Sequence, residues 1–415
     1  MTPAARLSAA MALLDAIEAA LAPAPGAGPE AGPSDPRLAR GVDRLLARWG
    51  RENRYAGARD RAAVADLVYD ALRRRRSLAW RMGPGAAGGR ALVLALLAEQ
   101  GLSVAQIAAL CDGGRFAPAP LSDEERARLA APPPPAPAPV RLDFPDWLEP
   151  ELRRTFGPRL EETMATMRAR APLDLRVNAL RATPEQAIEA LRTDGVEAAP
   201  GPLSPWCLRV GEGARRLRAA AAYRDGLVEI QDAASQAAAL MSRARPGERV
   251  LDFCAGGGGK ALALAAMTGG PIDAHDADPS RMADLPARAR RAGTRVRTLH
   301  AAPRGRYDLV FVDAPCSGSG AWRRNPDAKW ALTPAELAAL RALQARVLRA
   351  AARNVAGGGR LLYATCSLLR AENRDVVEAF LAEGGFALED ERVFTPRDGG
   401  DGFYAALLRR VAQEG

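Results

Sequence analysis

The sequence predicts an α/β protein: a doubly wound, mainly parallel sheet, preceded by an all-helical N-terminal domain and a small α/β module. Three observations predict it. From Gly226 onward short β-rich runs alternate with helical patterns, the signature of parallel strands joined by helices. Up to about residue 131 apolar residues recur at three- and four-residue spacing, as in Arg61–Arg76 (RAAVADLVYDALRRRR), which reads as helix. Between them APPPPAPAP, Ala131–Pro139, reads as a semi-rigid spacer. The expected division is therefore a helical domain over 1–131, a Pro-rich linker over 132–139, a small α/β module over 140–224 and the sheet domain over 225–415.

Taken in order, the helical part is interrupted by a Pro/Gly/Ala loop, Ala22–Pro36. Trp49, Tyr55 and Tyr69 read as core or staple residues rather than stacking platforms. Arg73–Arg76 ends a helix and offers phosphate contacts, with a solvated charge run as the plain alternative. The small module carries helical segments around Trp147–Arg168, an extended run Leu173–Leu180 and a helix Pro184–Arg192. In the last domain the strands are Arg249–Phe253, Ile272–His275, Arg295–Leu299, Asp308–Val312 and Arg360–Ala364, and the longest helix is Pro334–Asn354. Ligands of such sheets sit outside the carboxyl ends of the strands.

Composition excludes several classes. Five cysteines with no Cys-x-x-Cys and only two histidines argue against a disulfide framework and a structural zinc site, and no metal is expected. Met1–Leu21 is broken by Arg6, Asp15 and Glu18, and no run is long and apolar enough to span a bilayer, so a cytoplasmic protein is expected. The net charge of +9 is compatible with a polyanionic partner. Among 58 basic residues only Lys260 and Lys329 are lysines, which reads either as chance or as positions where a compact ammonium rather than a planar guanidinium is wanted.

Four motifs lie at strand ends. VLDFCAGGGGK, Val250–Lys260, runs from a buried strand through glycines into a helix; it lacks the Ser/Thr of a phosphate-binding P-loop. AHDADPSR, Ala274–Arg281, places Asp276 about 20 residues later, where a carboxylate binds a ribose diol; Asp278 reads as a helix cap. DLVFVDAPCSGSG, Asp308–Gly320, brings Asp313 and Cys316 past one strand, and LLYATCS, Leu361–Ser367, brings Cys366 past another. A buried cysteine is ordinarily a packing residue, and Cys111 and Cys207, outside every motif, read so. Two cysteines at two strand ends suit another chemistry. Carbon 5 of cytosine is a poor nucleophile until a thiolate adds to carbon 6, and cysteine is the side chain that attacks well near neutral pH.

In this order and separation CAGGGGK, DAPCSGSG and ATCS resemble the Nop/Sun family of RNA cytosine-5 methyltransferases, and more closely its bacterial branch acting on small-subunit rRNA. The likeness covers roughly Asp143 to the C-terminus and includes LRVNAL (Leu175–Leu180), GLVEIQDAASQ (Gly226–Gln236), RRNPDAKW (Arg323–Trp330) and GGDGFYAALL (Gly399–Leu408). It implies a class I, Rossmann-like methyltransferase fold, S-adenosyl-L-methionine as cofactor and RNA, small-subunit rRNA or an assembly intermediate, as partner of a monomer. It implies roles too. Cys366 is the nucleophile, Cys316 helps to release the product, and Asp313 holds the cytosine edge and borders the cofactor. Cys254, Ala255, Gly256, Gly257, Gly258, Gly259 and Lys260 wrap the methionine end of the cofactor, and Asp276 its ribose. Ala47–Ser77 resembles a NusB-like RNA-binding domain.

Two departures stand out. Gly256 and Gly257 replace the family's Ala and Pro, which should loosen the turn. The segment after the third strand, Leu299–Asp308, is short and lacks the Asp that binds adenine, leaving backbone groups or His300, which itself reads as a partly exposed strand-end residue. Two rivals remain at this stage: a DNA cytosine methyltransferase with Cys316 as nucleophile, and a non-catalytic RNA-binding assembly factor.

Overall fold

The computed structural model describes residues 1–23, 32–35, 41–86 and 88–411; most of the expected Ala22–Pro36 loop lies outside the described residues. The chain forms two compact units, Met1–Arg170 with Trp322–Glu336, and Ala171–Ala321 with Leu337–Gly415.

The first unit is helical. Helices Pro3–Leu21, Val42–Glu52, Ala58–Arg73, Arg75–Met82 and Gly89–Glu99 supply most of one apolar core, in which Leu14, Ile17, Val64, Val68, Leu72 and Leu94 are fully buried. The single helix expected over Arg61–Arg76 is broken at Arg74. The cause is a cap from outside: buried Asp143 accepts the amides of Arg76 (3.0 Å) and Ser77 (2.9 Å) and the Ser77 hydroxyl, and pairs with Arg168 at 2.9 Å. These bonds also tie 140–170 to the helices. The Pro-rich stretch therefore runs within this unit, where Trp80 donates to the Pro135 carbonyl, and the chain leaves the unit only after Arg170.

The Arg73–Arg76 run is not a free cationic strip. Arg73 donates to the Arg323 carbonyl and pairs with Asp70, Arg74 pairs with Glu99, Arg75 with Glu18 and Arg76 with Asp146. Trp49 and Tyr69 pack against the core as expected; Tyr55 does not, and is exposed.

The second unit holds two sheets. Strands β1 (Leu173–Val177), β2 (Ala198–Pro200), β3 (Cys207–Val210) and β4 (Val228–Ile230) form an antiparallel sheet in the order β2-β3-β1-β4. Only β1 was legible as an extended run, since its partners are three or four residues long. The larger sheet contains β5 (Val250–Asp252), β6 (Ile272–His275), β7 (Val296–Leu299), β8 (Tyr307–Asp313), β9 (Val355–Thr365), β10 (Phe386–Phe394) and β11 (Phe403–Arg410), ordered β10-β11-β9-β8-β5-β6-β7. The five strands from β9 to β7 are parallel; β11 and β10 add an antiparallel edge that the sequence reading does not contain.

Alternate residues of each strand enter opposite cores, so the parallel strands read as continuous apolar runs. Leu309 and Phe311 of β8 pack with helices Ala233–Met241 and Gly259–Thr268; Val310 and Val312 pack with Pro334–Ala352 and Arg374–Leu381. One crossover carries no helix. Residues 300–306 pass from the end of β7 to the start of β8, seven residues that reach about 25 Å at full extension. This is shorter than the dozen or so residues a parallel crossover ordinarily takes, and it leaves β7 only half-buried.

Candidate active site: a thiol pair beside a glycine turn

The carboxyl ends of β5, β6, β8 and β9 deliver the residues singled out in the sequence. After β5 the chain turns at Gly258 (φ +84°), where any Cβ would lie 2.2 Å from Leu285, so only glycine fits. The turn is not loose. The Gly256 amide donates to Asp276 Oδ2 (2.9 Å), Ala255 N to the His275 carbonyl (2.8 Å), and Arg288 reaches the Gly257 carbonyl. Buried Arg176 of LRVNAL donates to the Gly259 carbonyl (3.0 Å) and to Gln231 of GLVEIQDAASQ (2.9 Å). Two motifs distant in sequence thus brace the turn in place of the rigidity that Pro would give.

Asp276 is buried at the end of β6. One oxygen takes Gly256 N and Arg281, the other the Asp278 amide. Asp278 caps the turn that follows, accepting Ser280 N at 3.0 Å. Lys260, in the first turn of the next helix, donates to Asp313 Oδ2 at 2.5 Å and lies 5.0 Å from the centre of the Phe403 ring. Burial opposes the Lys260 charge, but the carboxylate of Asp313, with Cys366 and Asp252 behind it, holds the ammonium above its ordinary value.

The Sγ atoms of Cys316 and Cys366 are 3.4 Å apart, both half-buried. The hydrogen bond to Cys366, then burial, and then nearby negative charge push the Cys316 thiol well up. Gly320, past Cys316, donates its amide to the Cys366 carbonyl (2.9 Å) and accepts Gly402 N (3.0 Å); a Cβ on Gly320 would lie 1.9 Å from the Gly402 carbonyl. DAPCSGSG, ATCS and GGDGFYAALL therefore meet backbone to backbone.

Residues 239–409 match the family model described as 16S rRNA methyltransferase RsmB/F, and residues 144–215 match the ferredoxin-like domain of RsmF/B-like methyltransferases. The ribosomal RNA small subunit methyltransferase B of Pseudomonas syringae pv. tomato is 32% identical over 304 residues, covering 66% of this chain and 67% of that one. Its counterpart from Salmonella typhi is 31% identical over 290 residues (65% and 67%). The chain belongs to the RsmB/F methyltransferase family. Among solved structures, PH0851 superposes with a TM-score of 0.70 at 23% identity over 97% of this chain and 99% of that one. NSun6 from Pyrococcus horikoshii, solved with SFG, gives 0.58 at 18% identity over 65% and 99%. Both share the fold.

An RsmB/F enzyme takes its methyl group from S-adenosylmethionine, and the residues present fit that group. Asp252, wholly buried at the foot of the glycine turn, has no hydrogen-bond partner on either oxygen among the described residues. Burial first, then the Asp313 charge, push it up to about 7; the Ala261 amide favours the charged form without making a bond of ordinary geometry. An orphaned carboxyl at this place suits the cationic methionine end of the cofactor. Sequence reasoning missed Asp252, although its place at the end of the first strand of a glycine turn was the signal for it.

Of the other expected residues, Cys254 stays a thiol, pushed up by burial and by Asp252 and Asp313. Cys111 and Cys207 are buried packing residues, and His300 is exposed. Lys329 belongs to the helical unit.

Proposed function

We propose that the chain methylates carbon 5 of a cytosine in small-subunit rRNA through a covalent adduct to Cys366, in the cytoplasm and as a monomer. The observation that carries the reading is the thiol pair 3.4 Å apart beside the Lys260–Asp313 ion pair of 2.5 Å. A single cysteine would explain attack alone. A second at van der Waals range supplies a group for the later step.

Cys366, as its thiolate, attacks carbon 6, and the electron pair of the 5,6 double bond moves to carbon 5. Asp313, oriented by Lys260, holds the cytosine edge and stabilises the protonated ring of the intermediate. S-adenosylmethionine, when bound, supplies the methyl group that carbon 5 takes up. Loss of the carbon 5 proton to a base restores the double bond and expels the Cys366 thiolate, with the Cys316 thiol at hand to assist that release. Cys254–Lys260 would wrap the methionine end of the cofactor, with Asp276 at its ribose. The target base must leave its stack to meet the thiols, which favours a loop or an unfinished subunit particle. Residues 1–131 would serve as a NusB-like RNA-binding domain, and 140–224 as the module preceding the catalytic domain over 225–415.

The test is transfer of labelled methyl from S-adenosylmethionine to unmodified small-subunit rRNA. Wild type should yield 5-methylcytosine and Cys366→Ala none. Cys316→Ala should accumulate a protein–RNA adduct that migrates slowly on a denaturing gel. An adduct that depends on Cys316 instead would favour the DNA-enzyme chemistry, and no label with wild type an assembly factor.

A further inference from the structure

Behind the two thiols lies a buried carboxylate that the chemistry above does not use. Glu372 sits in the turn after β9, Arg370–Glu372, with no exposed surface. Four donors converge on it. Its Oε1 accepts the Ser317 amide (2.8 Å) and Gln344 Nε2 (2.9 Å); its Oε2 accepts the hydroxyls of Ser317 and Ser367, each at 2.5 Å. Ser317 adjoins Cys316 and Ser367 adjoins Cys366. Ser319 closes the set, 2.9 Å from the Ser367 hydroxyl and accepting the Leu368 amide at 2.8 Å.

We propose that Glu372 is a positioning residue that clasps the two cysteine loops together and sets its charge against Cys316, so that the two thiols are unequal. The proposal rests on the two-cysteine reading above. The charges around the pair are unequal in this sense. Cys316 faces Cys366, the Glu372 carboxylate and the Tyr363 phenol, whose hydroxyl donates to the Glu372 carbonyl at 2.7 Å. Cys366 faces the Lys260 ammonium, to which Asp313 is bound. A like charge disfavours a thiolate, and the Glu372 charge acts in that sense on Cys316.

Glutamine at this position separates the clasp from the charge. Its carbonyl can accept the two N–H donors of Oε1, and its amide can donate to two hydroxyls that accept as readily as they donate. The full chain, wild type and Glu372→Gln, would be alkylated with iodoacetamide across a pH series and each cysteine read by peptide mass, with thermal melting as the folding control. The pH of half-maximal alkylation at Cys316 should fall by about one unit in the variant, with Cys366 responding less. An unmoved Cys316 midpoint in a variant that melts normally would overturn the proposal, and so would an equal fall at both cysteines. Should Glu372→Gln melt early, Ser317→Ala decides, because it keeps the carboxylate and removes a hydroxyl that screens it. The Cys316 midpoint must then rise, and one that stays or falls overturns the proposal. The titration uses neither RNA nor methyl donor, so its failure is distinguishable from that of the covalent-adduct reading, which Cys366→Ala tests alone.

Discussion

Lys260 in the catalytic unit and Lys329 in the helical unit are both largely withdrawn from water, yet their surroundings act in opposite directions. At Lys260 the Asp313 carboxylate, 2.5 Å away, outweighs burial and fixes the positive charge. At Lys329 burial dominates and pushes the ammonium down to about 8, although Asp143 draws it up. Its polar contacts are the Arg73 carbonyl at 3.2 Å and the face of Trp330 at 4.5 Å. A chain that otherwise uses arginine thus spends one lysine where a point charge must orient a carboxylate. It spends the other where a compact donor must fit inside a core and can shed its proton.

Four substitutions sharpen or break this contrast. Lys260→Met should lower kcat/KM for methyl transfer roughly 100-fold or more, because Asp313 is left unpaired where charge develops; transfer assays within a fewfold of wild type would end the comparison. Asp143→Ala should cost about 3 kcal/mol in urea unfolding, since two backbone amides and the Ser77 hydroxyl lose their acceptor and Arg168 is left with the more distant Glu99 carboxylate at 3.6 Å.

Lys329→Met should act through pH. Between about 8 and its unfolded value the unfolded chain binds the extra proton, so wild-type stability rises with pH across that window. Denaturation of both proteins at pH 7.5 and at pH 10 should show wild type gaining on the order of 2 kcal/mol relative to the variant. Equal gaps at the two pH values would mean that Lys329 keeps its proton when folded. Smallest of all, Asp146→Asn should change stability by less than about 0.5 kcal/mol, because the carboxylate that pairs with Arg76 is largely exposed.

The legible parts of the fold were those with local periodicity. Five parallel strands and the helix Pro334–Ala352 stand where alternating apolar runs and three-to-four spacing place them. The edge strand β10 was not legible because its residues, exposed along most of its length, carry no alternating pattern. The grouping of Trp322–Glu336 with the helical unit was equally hidden, since it depends on contacts such as Trp330 Nε1 to the Leu72 carbonyl (2.7 Å) between residues far apart in sequence. In the site, Cys316, Cys366, Asp313 and Lys260 were visible because each sits just past a strand in a glycine- or serine-rich turn. Glu372 was not, because its significance lies in the four donors that converge on it, while Asp252 carried a positional signal at the end of its strand but not the orphaned oxygens that give it meaning.

The contact of Gly320 with Cys366 on one side and Gly402 on the other has a bearing on where motion occurs during turnover. Three chain segments meet at a point with no room for a methyl group, which holds the loops of Cys316 and Cys366 in one register. Under the proposed chemistry the rearrangement on encounter is expected in the RNA rather than in these loops, because the target base must leave its stack.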